Sequence, residues 1–196
     1  MSSIGVYSNT DKCDERRESD FYPTPWQATE ALLLREREYL REHKEIWEPA
    51  CGDGAISEML KLHGYEPIST DLVNRGYGLA PVDFLKTDSL CRAIVTNPPF
   101  SVAEDFIRHA WDLGTDYIAL LLKSNYFHAD CRVSLFNERH PARIYPLAWR
   151  VDFTGGGANH FDCMWVVWDA HNWGSQPCHY MPPVERPEIM GQRAML

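Results

Sequence analysis

In "PWQATEALLLREREYLREH", Pro25 to His43, the apolar residues Ala28, Leu32, Leu33 and Leu40 gather near one face at helical spacing, with charged residues opposite. That pattern predicts an amphipathic helix packed on a core. The rhythm then shortens. "EIWEP" reads as a strand that runs into the turn "ACGDG" and the helix "AISEMLKLHG". "EPIST" reads as a strand ending at Asp71, "RAIVT" as a strand ending at Asn97, "SVAEDFIRHAWDLG" as a helix and "DYIALLLK" as a strand. Strands alternating with helices predict a doubly wound, mostly parallel sheet. Two longer aromatic runs, "ARIYPLAWRVDF" and "FDCMWVVWD", flank the loop "TGGGANH" and predict an antiparallel C-terminal hairpin closing that sheet. Trp165 and Trp168 fall on opposite faces of its last strand, so both can be buried only if helices cover both faces.

The two ends lack this patterning. Residues 1–20 are polar and charged without periodicity and read as a mobile arm, and residues 171–196, rich in proline and glycine, read as an extended tail. Residues 21–170 then form one domain, in keeping with 196 residues of which 44% are hydrophobic. The longest uncharged apolar run, "YIALLL", is too short to span a bilayer, and the N-terminus has no apolar signal core, so a cytoplasmic protein is expected. Six dispersed cysteines read as reduced thiols, and the histidines lack paired ligand spacing, so no metal is expected. A net charge of −9 counts against a protein that grips a polyanion over a broad surface.

Ligands of an open parallel sheet bind beyond the carboxyl ends of its strands, which directs attention to the residues just after each one. The first strand delivers Glu48-Pro49-Ala50-Cys51-Gly52-Asp53-Gly54, a turn whose glycines allow close backbone approach to a ligand. It lacks the full GxGxxG and the Lys-Ser/Thr of a phosphate loop, which disfavours a dinucleotide or nucleoside triphosphate. Asp71, after the second strand, is placed to accept hydrogen bonds from ribose hydroxyls. In "APVDFL", Asp83 offers an acceptor for an adenine amino group and Phe84 a ring to pack on it.

The third strand ends in Asn97-Pro98-Pro99-Phe100. Prolines cannot donate to a ladder, so the pair stops the strand and holds two acceptors, the Asn97 side-chain oxygen and the Pro98 carbonyl, in a rigid array. Phe100 adds a flat apolar face. Two acceptors and a ring describe a clamp for a planar aromatic amine, whose lone pair they direct toward an electrophile by orientation and preorganised electrostatics.

Taken together, "FYPTPWQATEALL", "WEPACGDGAIS", "STDL", "VDFL" and "TNPPF" resemble, in order, the motifs of class I S-adenosylmethionine-dependent methyltransferases, and specifically the amino-methyltransferases acting on adenine in DNA. The small enzymes of bacteriophages and prophages are the most similar, some of which serve in restriction-modification or protect phage DNA from host nucleases. The resemblance, over Phe21 to Asp169, implies a Rossmann-like seven-stranded sheet and S-adenosylmethionine as cofactor. It implies that Tyr22, Thr24, Pro25, Glu48, Pro49, Ala50, Cys51, Gly52, Asp71, Leu72, Asp83 and Phe84 bind the cofactor. Asn97, Pro98, Pro99 and Phe100 are by the same resemblance catalytic, clamping the target base. Because such a base must leave the helical stack, "WRVDFTGGGANHFD" is expected to close over it, with Phe153 stacking and Arg150 contacting phosphate or base.

One departure matters. Sequence-specific members carry an added target-recognition domain, and no insertion here is long enough to be one. Weak or very short target specificity is therefore expected, or a specificity partner or second copy of the chain. The aromatic clamp also suits RNA adenine or guanine amines, and a related Asn-Pro-Pro-Tyr serves the glutamine amides of release factors. A catalytically silent binding module is the reading from another class, and the intact Asn97, Pro98 and Phe100 argue against it.

Overall fold

The computed structural model describes residues 21–153 and 160–171; the arm 1–20, the glycine loop 154–159 and the tail from residue 172 on lie outside the described residues. Helix α1, Trp26–Leu40, precedes strand β1, Glu45–Glu48, then α2, Ala55–Leu62, and β2, Glu66–Ser69. Strand β3, Ala93–Thr96, leads through a 3-10 turn into α3, Ala103–Asp112, and β4, Tyr117–Lys123. The short α4, Val133–Glu138, and the long strands β5, Arg143–Asp152, and β6, His160–Asp169, complete the order. No helix among the described residues is long and apolar enough to cross a membrane.

The six strands form one sheet in the order β2-β1-β3-β4-β6-β5. Strands β2, β1, β3 and β4 run parallel, and β6 is antiparallel to both β4 and β5. The resemblance implies seven strands; among the described residues there are six. Where a further strand would flank β2, the chain makes only an isolated bridge, Thr70 to Leu79. Gly76 and Gly78, both at positive φ, and Pro81 interrupt that segment, which leaves no run able to sustain a ladder.

Alternation along the central strands fills two cores. Ala93, Val95, Tyr117, Ala119, Leu121, Cys163, Trp165 and Val167 face α1 and α2. Ile94, Ile118, Leu120, Leu122, Met164, Val166 and Trp168 face α3 and α4. Helices thus cover both faces, and Trp165 and Trp168 are both buried, on opposite sides. Trp165 Nε1 donates to the Ala28 carbonyl of α1 at 2.8 Å, and Trp168 Nε1 to the Arg139 carbonyl at 3.2 Å. Each indole therefore keeps a partner for its polar atom while burying its rings.

The chain leaves β1 toward β2 on one side and later returns to place β3 on the other. The sheet order reverses between β1 and β3, which opens a crevice past their carboxyl ends.

Candidate active site

At the end of β1 the Glu48 carboxyl is buried, and Ser57 Oγ, in the first turn of α2, donates to it. Burial without a cation beside it holds this carboxyl well above the usual carboxylate range, and the Ser57 hydrogen bond only partly opposes that. Ser57 Oγ also lies 2.6 Å from Ser69 Oγ at the end of β2, so one polar cluster joins β1, α2 and β2.

The turn that follows is shaped by Gly52, whose φ of +56° lies in the left-handed region. A Cβ there would lie 2.2 Å from Phe21 Cε2, so the turn admits only glycine with the N-terminal segment laid across it. Gly52 N–H donates to Asp71 Oδ2 at 2.8 Å, and Val73 N–H donates to Asp71 Oδ1 at 2.8 Å. Two backbone amides thus anchor one carboxylate, which retains lone pairs for a ligand's hydroxyl groups. Neighbouring Cys51 has its thiol pushed up to about 12, by burial first and then by the Glu48 and Asp71 carboxyls. It remains a thiol near neutral pH and supplies no nucleophile.

Across the crevice, Asp83 Oδ1 accepts from Leu85 N–H at 3.2 Å, capping the 3-10 turn Phe84–Lys86, and Oδ2 pairs with Lys86 Nζ at 2.8 Å. Phe84 is buried against Trp47 and Phe106, with ring centroids 5.1 and 4.7 Å away.

At the end of β3, Asn97 Nδ2 donates to the Tyr22 carbonyl at 3.2 Å and to Thr24 Oγ1 at 3.1 Å. A carbonyl oxygen can only accept, so the sense of the amide is fixed: nitrogen toward the N-terminal segment, oxygen away from it. Pro98 is buried, and Pro99 starts the 3-10 turn Phe100–Val102 that enters α3. The Phe100 ring stacks 6.1 Å from Tyr22 and stands edge-on to Phe161 at 6.3 Å.

These residues border a cavity of about 510 Å³. Of the residues named from sequence, Tyr22, Thr24, Glu48, Pro49, Ala50, Cys51, Gly52, Asp71, Leu72, Asp83, Phe84, Asn97 and Pro99 line it. Pro25 instead precedes the first turn of α1, and Pro98 and Phe100 do not line the cavity. Phe153 is buried and packs with its centroid 5.5 Å from Tyr22 and 5.8 Å from Phe161, beside Phe100 rather than in the cavity. Arg150 lies apart from both groups, 70% exposed, its Nε 3.3 Å from Asp162 Oδ1.

Sequence reasoning missed Phe21 and Arg75, which line the cavity with the Arg75 guanidinium 4.2 Å over the Phe21 ring. It also missed Lys123, whose Nζ sits 4.5 Å over the Phe100 ring and 4.6 Å over that of Phe161. Lys123 is the last residue of β4, so the strand-end rule that singled out Asp71 and Asn97 would also have found it. Among the described residues no group of three His, Cys, Asp or Glu side chains is gathered to hold a metal ion.

No protein-family model matches the chain, and no curated protein matches its sequence. Its fold is similar to those of solved methyltransferases. A provisionally assigned RNA methyltransferase from Pyrococcus horikoshii superposes with a TM-score of 0.63 and 14% identity, over 76% of this chain and 85% of that one. The modification subunit of a provisionally assigned type I restriction enzyme from Vibrio vulnificus gives 0.59 and 14%, over 87% of this chain but only 48% of that one. A provisionally assigned class I S-adenosylmethionine-dependent methyltransferase from Listeria monocytogenes gives 0.63 and 13%, over 91% and 71%. The chain therefore has the Rossmann-like class I methyltransferase fold.

Proposed function

We propose that the protein transfers a methyl group from S-adenosylmethionine to the exocyclic N6 amine of adenine in DNA, with weak or short sequence specificity. The observation that carries this reading is the Asn97 amide, fixed by Tyr22 and Thr24 at the rim of a cavity suited to a nucleoside-containing cofactor.

The residues present fit that cofactor. The Asp71 carboxylate, already pinned by Gly52 and Val73, suits ribose hydroxyls, and the Phe84 ring and Leu72 border the space an adenine needs. Bound there, S-adenosylmethionine supplies an electrophilic methyl group on a sulfonium. The rest is positioning by the chain. The target amine donates its N–H groups to Asn97 Oδ1 and the Pro98 carbonyl, Phe100 supports the base, and the nitrogen lone pair turns toward the cavity. Two acceptors so placed would stabilise the positive charge that develops on nitrogen as its bond to the methyl carbon forms and the carbon–sulfur bond breaks to leave a neutral thioether, the surplus N–H proton then passing to solvent. The Cys51 thiol, pushed up to about 12, stays protonated near neutral pH, and in this reading the amine itself is the nucleophile.

The test is transfer of labelled methyl from S-adenosylmethionine to unmethylated duplex DNA, bacterial RNA and a protein extract in parallel, followed by analysis of the labelled product. Label in 6-methyladenine of the DNA is expected. Label confined to RNA or protein would replace the substrate, and cofactor binding without any label would point to a silent module.

A further inference from the structure

Lys123 is placed where no part of the proposed cofactor site needs it. Strand β4 lies beside β3, with Leu120 opposite Thr96, so Lys123, the last residue of β4, stands past the carboxyl end of β3, on the same rim as Asn97. Its ammonium faces two aromatic rings, Phe100 and Phe161, and makes no ion pair with a carboxylate among the described residues. Several other described cations have a carboxylate partner, as in Arg92 with Asp116, Arg108 with Glu104 and Glu138, and Arg143 with Glu36 and Asp169, whereas Arg75, Arg132 and Arg139 lie over single rings. A half-buried ammonium set only against ring faces, in a chain of net charge −9, is held more weakly than one on an anion.

We propose that Lys123 is a substrate-binding residue that pairs with a backbone phosphate of the DNA next to the target adenine. The inference rests on the proposed function, and it deepens it by explaining how the site selects a nucleotide within a polymer. A base supported by Phe100 brings its own sugar and phosphate to the rim where the ammonium sits. A glutamine amide presented to the same clamp carries no anion there, so the charge discriminates between the two acceptor classes. The exchange of ring faces for a phosphate oxygen is favourable because the new bond joins opposite charges.

A single phosphate contact has a measurable signature: losing it lowers the slope of log affinity against log salt by about 0.9 on duplex DNA. Binding of a fluorescent duplex is measured by anisotropy over a salt series for the full chain, Lys123→Met and Lys123→Arg. The Met variant, of similar length and able to keep the ring contacts, is expected to bind more weakly at low salt and to show that drop in slope. The Arg variant is expected to keep the parent slope, and both are expected to bind S-adenosylmethionine as the parent does. Lys123→Gln repeats the test if the Met side chain disturbs the aromatic cluster. An unchanged slope in the uncharged variants, while the parent protein labels DNA, overturns the phosphate contact and leaves the proposed reaction standing. An equal drop in the Arg variant also overturns it, because charge is then not the cause. A parent protein that binds no DNA and labels only protein overturns both.

Discussion

At the residue scale, Asn97 and Asp71 divide the proposed work. Asn97, proposed to face the acceptor, is held by the N-terminal segment, whereas Asp71, proposed to bind the cofactor, is held by the Gly52 turn. Asn97→Ala is expected to leave S-adenosylmethionine binding nearly intact by calorimetry and to lower methyl transfer by about 10²- to 10³-fold, the usual loss for one preorganised transition-state hydrogen bond. Asp71→Ala is expected to weaken the cofactor instead, and equal loss of cofactor affinity in both variants would contradict this division. Glu48 adds a pH effect on stability. The unfolded chain releases the Glu48 proton in the ordinary carboxylate range, whereas the folded protein holds it to higher pH because burial disfavours the anion. Between those two points the folded state binds the extra proton, so raising the pH erodes stability through that window. Urea titrations from about pH 5 to pH 8 are expected to show this decline in the parent protein and a flatter profile in Glu48→Gln, which has no proton to lose.

At the element scale, α1 does more than cover the sheet. Glu36 is fully buried on its apolar stripe, four residues from both Leu32 and Leu40. Its carboxylate accepts from Arg143 Nε and NH2 at 2.8 Å each, from the Tyr117 hydroxyl at 2.9 Å and from the Tyr145 hydroxyl. Arg143 also donates to Asp169 Oδ2 at 2.8 Å, so one network ties α1 to β4, β5 and β6. Glu36→Ala leaves Arg143 buried with half its partners, and a loss of about 3–5 kcal/mol in urea unfolding is expected. Helical periodicity alone puts Glu36 on the buried stripe, yet a lone glutamate among leucines reads as solvated. Its partners stand 81 to 109 residues away in the chain, and only the assembled sheet brings them to it.

At the scale of the whole molecule, one sheet supplies both the crevice proposed for the cofactor and the rim proposed for the acceptor, and no target-reading domain stands beside them among the described residues. Methylation mapped over random DNA is expected to be spread over many contexts or confined to a very short site. Confinement to a single site of about five base pairs or more would imply a specificity partner, because reading that many base edges takes more groups than a base clamp alone provides.

The alternation of strands and helices, the presence of α1 ahead of the sheet and the strand-end positions of Gly52, Asp71 and Asn97 were determined by the sequence itself, although α1 ends at Leu40 rather than at His43. Local periodicity and the backbone demands of glycine and proline act within a few residues, and they leave their mark in composition. Among the described residues no seventh strand forms beside β2, and the reason is also local, the glycines and proline between residues 76 and 81. What only the tertiary structure decided were relations between distant segments. The N-terminal segment crosses the Gly52 turn and fixes the Asn97 amide, the Glu36 network joins a helix to three strands, and Lys123 comes to rest on the Phe100 and Phe161 rings. Phe153, expected to close over a base, comes to lie in an aromatic cluster with Tyr22 and Phe161. Such contacts depend on the order in which strands enter the sheet, and no pattern within a single segment encodes that order.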